Sequence, residues 1–167
     1  MTLIADAIGI RGLPPLDQLT IERFNSLARP ASDSAQRAAV AAFYADPRDT
    51  ATPNGMSRLL TMLWQGKALN RPGTELLLDI MRRCRTGDAR IKGLLPPGTE
   101  VRHKTGTLGI GVTDDVGIIT LPNDAGHVAI SVFVKEATRP PADQERAIAH
   151  AARAVYDFFV LSASPAR

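Results

Sequence analysis

The spacing of apolar residues switches from helical to extended at Pro96-Pro97-Gly98, which restricts the chain to a mixed α+β fold. Before the switch, Met56, Leu59, Leu60 and Leu63 recur at helical intervals. Thr52 stands ready to cap that helix, Pro53 takes its favoured first position and Gly66 ends it. A further helix is expected from about Pro72 to Arg85, burying Leu76, Leu77, Ile80, Met81 and Cys84, until Thr86-Gly87-Asp88 breaks it. Two earlier helices are expected, one over about Leu16–Ala28 and one capped by Ser32 or Asp33 and running through Ala45. Residues 1–15, punctuated by Gly9, Gly12, Pro14 and Pro15, read as irregular.

After the switch, Val101–Thr107, Val116–Leu121 and Val128–Val134 read as strands. The short connections between them suit antiparallel hairpins. A long helix follows from near Pro141, carrying Ile148, Ala152, Val155, Tyr156 and Phe159, and Ser162–Arg167 is expected to fray. The expected architecture is therefore one domain over residues 1–167: helices, an antiparallel three-stranded meander, then a C-terminal helix. A meander of three strands is small for so much helix. The outer edge of Val128–Val134 would present unpaired backbone groups.

Composition removes several classes of function. The 167 residues are 44% hydrophobic and 22% charged, as in ordinary globular chains. No run reaches the roughly 18 apolar residues of a membrane span, and no membrane partner is expected. Met1-Thr2-Leu3-Ile4-Ala5-Asp6 lacks the basic and apolar regions of a signal peptide. The 20 basic residues are nearly balanced by 17 acidic ones. The densest basic stretch, Arg82 to Lys92, contains no aromatic side chain and reads as a solvated helix end and loop, so no nucleic-acid partner is expected. Cys84 is the only cysteine, which excludes an intrachain disulfide and a cysteine-based zinc site, and it reads as a small core side chain. His103, His127 and His150 lack the close spacing of a metal-binding helix motif, so neither metal nor cofactor is expected.

The remaining chemistry gathers around His103-Lys104-Thr105-Gly106-Thr107 in the first strand. Downstream lies Gly109-Ile110-Gly111-Val112-Thr113-Asp114-Asp115-Val116-Gly117; upstream lie Thr86-Gly87-Asp88-Ala89-Arg90-Ile91 and Leu95-Pro96-Pro97-Gly98, and earlier still Asp46-Pro47-Arg48-Asp49-Thr50-Ala51-Thr52-Pro53. Taken alone, Lys104 is a strand-end lysine and Thr105 a β-former. Asp114 and Asp115 read as turn residues, His103 as a partly exposed strand residue, and Asp46, Arg48 and Asp49 as loop scaffold.

In order and spacing, this series resembles the C-terminal half of class A beta-lactamases and related serine hydrolases, from about Asp46 to Phe159. Leu3-Ile4-Ala5-Asp6 is similar to the end of the family's omega loop, whose general-base glutamate would then fall just before Met1. The family's Ser-x-x-Lys and Ser-Asp-Asn elements do not occur in the chain. Asp114 stands where the family's Thr-Asn-Asp string has asparagine.

The resemblance implies a partial beta-lactamase/transpeptidase-like fold and a part in beta-lactam hydrolysis, hence antibiotic resistance. Lys104 would attract the substrate carboxylate and support the proton network around the nucleophile. Thr105 would hydrogen-bond that carboxylate, and Gly106 would admit substrate to the strand edge. The backbone N–H of Thr107 would form half of an oxyanion hole. The implied partners are a beta-lactam or related carboxylate-bearing molecule and an N-terminal half carrying the serine. Without that half the chain should be inactive. The alternative is a non-catalytic module on the same fold, binding a ligand or a protein. Family members are usually periplasmic or secreted, but the compartment of this chain stays undetermined.

Overall fold

The computed structural model describes residues 14–27, 32–48 and 50–163. The omega-loop match at Leu3–Asp6, Ala28 at the expected end of the first helix, Asp49 and the end of the tail lie outside them. The chain forms two compact units, Met1–Thr50 and Ala51–Arg167.

In the first unit the expected helix over Leu16–Ala28 divides in two. A 3-10 turn, Leu16–Gln18, follows Pro14-Pro15 and closes through the N–H of Gln18 on the carbonyl of Pro15 at 2.9 Å. Helix α1, Ile21–Leu27, restarts where the Thr20 hydroxyl accepts from the N–H of Arg23 at 3.2 Å. Helix α2, Asp33–Ala45, is capped by Ser32 as expected, its hydroxyl accepting from Ala35 N at 3.3 Å. Asp46 then holds Arg48, with carboxylate–guanidinium distances of 2.7–3.0 Å. The Arg48 hydrogen bonds keep the Asp46 carboxyl at about 2.

The second unit is a three-layer arrangement. Helix α3 is Pro53–Trp64, with the Thr52 hydroxyl accepting from Gly55 N at 3.0 Å. Helix α4 is Arg71–Arg82, where the Asn70 side chain accepts from Gly73 N at 2.9 Å. It stops three residues before the expected Arg85. The N–H of Arg83 returns to the Asp79 carbonyl at 3.1 Å, and the Asp79 carboxylate holds Arg82 and Arg83 at 2.8 Å each. Strands β1 (Val101–Leu108), β2 (Val112–Thr120) and β3 (His127–Val134) form an antiparallel sheet in the order β1-β2-β3. Helix α5, Pro141–Ala163, completes the unit.

Alternation along the strands divides the core. Val101 and Ile119 pair across β1 and β2, and Ile119 pairs with Val128. Their side chains pack with Ile130 and Ile91 against Ile148, Ala152 and Tyr156 of α5. On the other face, Ile118 packs with Leu60 and Leu63 of α3 and Met81 of α4. The hydroxyls of Ser57 and Ser131 meet there at 3.1 Å.

Two further expectations fail at the level of elements. Strand β2 begins at Val112, so Thr113-Asp114-Asp115 lies within the sheet and is not a turn. On α4, Met81 is buried, but Leu76 and Ile80 are 60% and 51% exposed and Leu77 is exposed as well. Within the second unit, Leu77 and Ile80 border the apolar cavity beside β1 instead of lying in the core.

Candidate active site

Lys104, Thr105, Gly106 and Thr107 lie on β1, an edge strand of the sheet. Their partners on β2 are Val116, Asp115, Asp114 and Thr113 in turn. Lys104 is exposed and lines a cavity of about 730 Å³ whose walls include Leu60 and Leu63 of α3 and Leu77, Ile80 and Met81 of α4. Its ammonium donates to the Thr105 carbonyl. The adjacent Thr105 side chain belongs to the opposite alternation and meets the Thr86 hydroxyl at 2.6 Å.

The loop after α4 comes close to the strand at this point. Gly87 has φ +70°, and a Cβ there would stand 2.4 Å from the Thr105 methyl, so contact and backbone both demand glycine. Thr86 also lies 3.4 Å from the sulfur of Cys84. That thiol is half-buried beside the cavity, past the helix end, and is not the core residue expected. Burial raises its pKa, but hydrogen bonds with Thr86 and the charge of Lys104 outweigh this and hold it below the ordinary thiol value.

Arg82, Arg83 and Arg85 of the basic stretch are exposed as expected, but Arg90 is only 7% exposed. Its guanidinium donates to the carbonyls of Gly106 and Asp114 at 2.9 Å each, to the Thr107 hydroxyl at 2.7 Å and to Glu145 of α5 at 3.0 Å. One side chain thus ties both strands of the β1–β2 hairpin to the helix behind them. Burial raises the pKa of the Asp114 carboxyl, opposed by the N–H of Val134 and the charge of Arg90. Alongside, the buried Thr113 hydroxyl donates to Gln144 of α5 at 2.6 Å.

His103 and Asp115 are also corrected. Both are fully buried, neither partly exposed nor at a turn. Nδ1 of His103 lies 2.9 and 3.1 Å from the two carboxylate oxygens of Asp115, and Oδ2 of Asp115 accepts from the N–H of Ile91 at 3.2 Å. Strand alternation carries a partial signal for this, since His103 shares parity with buried Val101. No local signal marks Arg90, whose partners lie 16, 17, 24 and 55 residues away. No group of three or more metal-ligating side chains occurs among the described residues, and no described helix is long and apolar enough to cross a membrane.

A lysine-threonine-glycine edge strand, backed by a buried arginine and flanked by an apolar cavity, agrees with what comparison with known proteins finds. A profile of the Beta-lactamase enzyme family matches residues 12–159, and the chain belongs to that family. Among its relatives, Beta-lactamase VEB-1 of Pseudomonas aeruginosa is 38% identical over 117 residues, covering 66% of this chain and 39% of the relative. Extended-spectrum beta-lactamase PER-1 of the same organism is 39% identical over 109 residues, covering 62% of this chain and 35% of the relative. Among solved structures, a representative of class A beta-lactamase from Bacteroides cellulosilyticus DSM 14838 aligns with a TM-score of 0.61 at 32% identity, over 66% of this chain and 42% of that one. The chain therefore spans less than half the length of these relatives.

Proposed function

We propose that this chain is the substrate-binding part of a class A beta-lactamase-type serine hydrolase, completed by a segment that supplies the nucleophile. The observation that carries this reading is β1. It offers Lys104, Thr105, Gly106 and Thr107 along a sheet edge, with the carbonyl of Gly106 and the hydroxyl of Thr107 held from behind by Arg90.

The roles follow from the groups present. The Lys104 ammonium attracts the carboxylate of a beta-lactam. The hydroxyls of Thr86 and Thr105 share a hydrogen bond of 2.6 Å, and with Thr86 as its donor the Thr105 proton is left for that same carboxylate. Gly106 presents no side chain against an incoming ligand. The N–H of Thr107 supplies half of the oxyanion hole, stabilising charge that develops on the lactam carbonyl oxygen. The attacking serine, the lysine that activates it and the glutamate that directs water onto the acyl-enzyme belong to the completing segment, because no Ser-x-x-Lys or Ser-Asp-Asn occurs in these residues. The apolar face of α4 at the cavity and the outer edge of β3 support such a completion.

The test is hydrolysis of a chromogenic cephalosporin by the chain alone, and by the chain mixed with an N-terminal polypeptide taken from a relative such as VEB-1. The expected result is no turnover alone, turnover in the mixture, and loss of that turnover with Lys104→Ala. Hydrolysis by the chain alone would place a nucleophile within it. No turnover in the mixture, with cooperative unfolding of the chain by itself, would favour a non-catalytic module.

A further inference from the structure

We propose that His103 and Asp115 form a buried positioning pair for the substrate-binding strand, acting through Ile91 and Arg90 on Gly106 and Thr107. The inference rests on the reading of β1 given above. The connection is continuous. Nδ1 of the His103 imidazole shares a hydrogen bond with the Asp115 carboxylate, and the same carboxylate takes the N–H of Ile91, which opens the 3-10 turn Ile91–Leu94. The residue before it is Arg90, whose guanidinium reaches the Gly106 carbonyl and the Thr107 hydroxyl. Where Asp115 holds Ile91 therefore decides where the Arg90 fork meets the strand.

Packing alone does not account for the pair. Both side chains are fully buried, and Nε2 of His103 has no hydrogen-bond partner among the described residues. An unmet polar atom in the core costs stability, and well-packed apolar residues of similar volume commonly do as well or better than a buried ionisable pair. The sheet is nonetheless shaped to admit the imidazole. Gly117 faces His103 across the strands, and a Cβ at position 117 would stand 2.8 Å from the His103 Cβ and 2.6 Å from the Arg102 carbonyl oxygen. What the pair adds beyond packing is direction, because it joins β1 to the turn that carries Arg90.

The discriminating variant is the double substitution His103→Leu with Asp115→Leu, made in the full chain. It fills the volume and removes the unmet imidazole nitrogen but strips the Ile91 N–H of its acceptor, so its Tm should fall only slightly below that of the parent. The side-chain N–H resonance of Arg90 should nevertheless shift, and so should the backbone amide resonance of Thr107, whose peptide carries the Gly106 carbonyl that Arg90 holds. Unchanged Arg90 and Thr107 signals would overturn the proposal and leave the pair as core alone. If the double variant does not fold, His103→Gln decides. Its amide can still donate to Asp115, so it should keep both signals, while His103→Leu alone should lose them; equal behaviour of the two would overturn the proposal.

In the completed assembly, the double variant should lower kcat by roughly 10- to 100-fold, with KM nearly constant, as expected when positioned groups are displaced. If the parent assembly itself hydrolyses nothing, that result counts against the proposed function. The Arg90 and Thr107 resonances still decide the role of the pair.

Discussion

At the scale of single residues, Arg90 concentrates more of the site than any other side chain described. Its fork serves two backbone carbonyls, one hydroxyl and one carboxylate at once. Arg90→Ala would leave all four without their donor, and breaking a buried pair in this way should cost about 3 kcal/mol in urea unfolding. Arg90→Lys keeps the charge but cannot reproduce the planar fork, so it should recover only part of that loss. An Arg90→Lys variant as stable as the parent would show that charge alone suffices. Asp114 gives the pH counterpart. Burial raises its carboxyl above the ordinary value. The stability tied to it is therefore complete below the unfolded carboxylate pKa and is lost as pH rises through the folded one. Asp114→Asn keeps an oxygen for the N–H of Val134 and removes the titration. Thermal melts should show the variant more stable than the parent near neutrality, with the difference closing in acid. At this scale the sequence was least legible. The triplet at Lys104 stood out through its ordered neighbours, whereas the burial of Arg90, His103 and Asp115 depends on partners brought in by the fold.

The elements were far more legible, because their signals are local. Thr52 and Ser32 cap where side-chain chemistry says they should, and β1 and β3 match their expected spans to within a residue. The start of β2 was missed for a physical reason. Thr113, Asp114 and Asp115 have turn chemistry, and they lie within a strand only because Gln144, Arg90, Val134 and His103 satisfy them there. Helix α4 shows a second limit. Helical spacing tells which residues share a face and is silent on whether another element covers it. Leu77 and Ile80 are exposed and line the cavity beside β1. Leu77→Asp with Ile80→Asp should therefore change the stability of the isolated chain by no more than about 0.5 kcal/mol per site. The same pair should abolish turnover in the completed assembly. A large loss of stability in the isolated chain would show that the face is already covered.

At the scale of the molecule, the unpartnered surfaces belong to different elements of the second unit. One is the apolar face of α4 at the cavity. Another is the outer edge of β3, which has no strand beside it among the described residues. A third is the end of α5, where Phe158 is 63% and Leu161 74% exposed. A contiguous apolar patch such as the α4 face at the cavity marks association surfaces more often than a finished monomer exterior. The matches span 39% of VEB-1 and 35% of PER-1. If the companion polypeptide covers these surfaces, an environment-sensitive hydrophobic dye should bind the chain strongly and be displaced as the companion is added, reaching its endpoint at one companion per chain. Displacement and the appearance of cephalosporin hydrolysis should follow the same titration curve, because covering the α4 face and bringing a nucleophile to Lys104 would then be one event. Hydrolysis that saturates while dye fluorescence stays constant would separate the two, and the exposed faces would need an occupant other than the segment that supplies the serine.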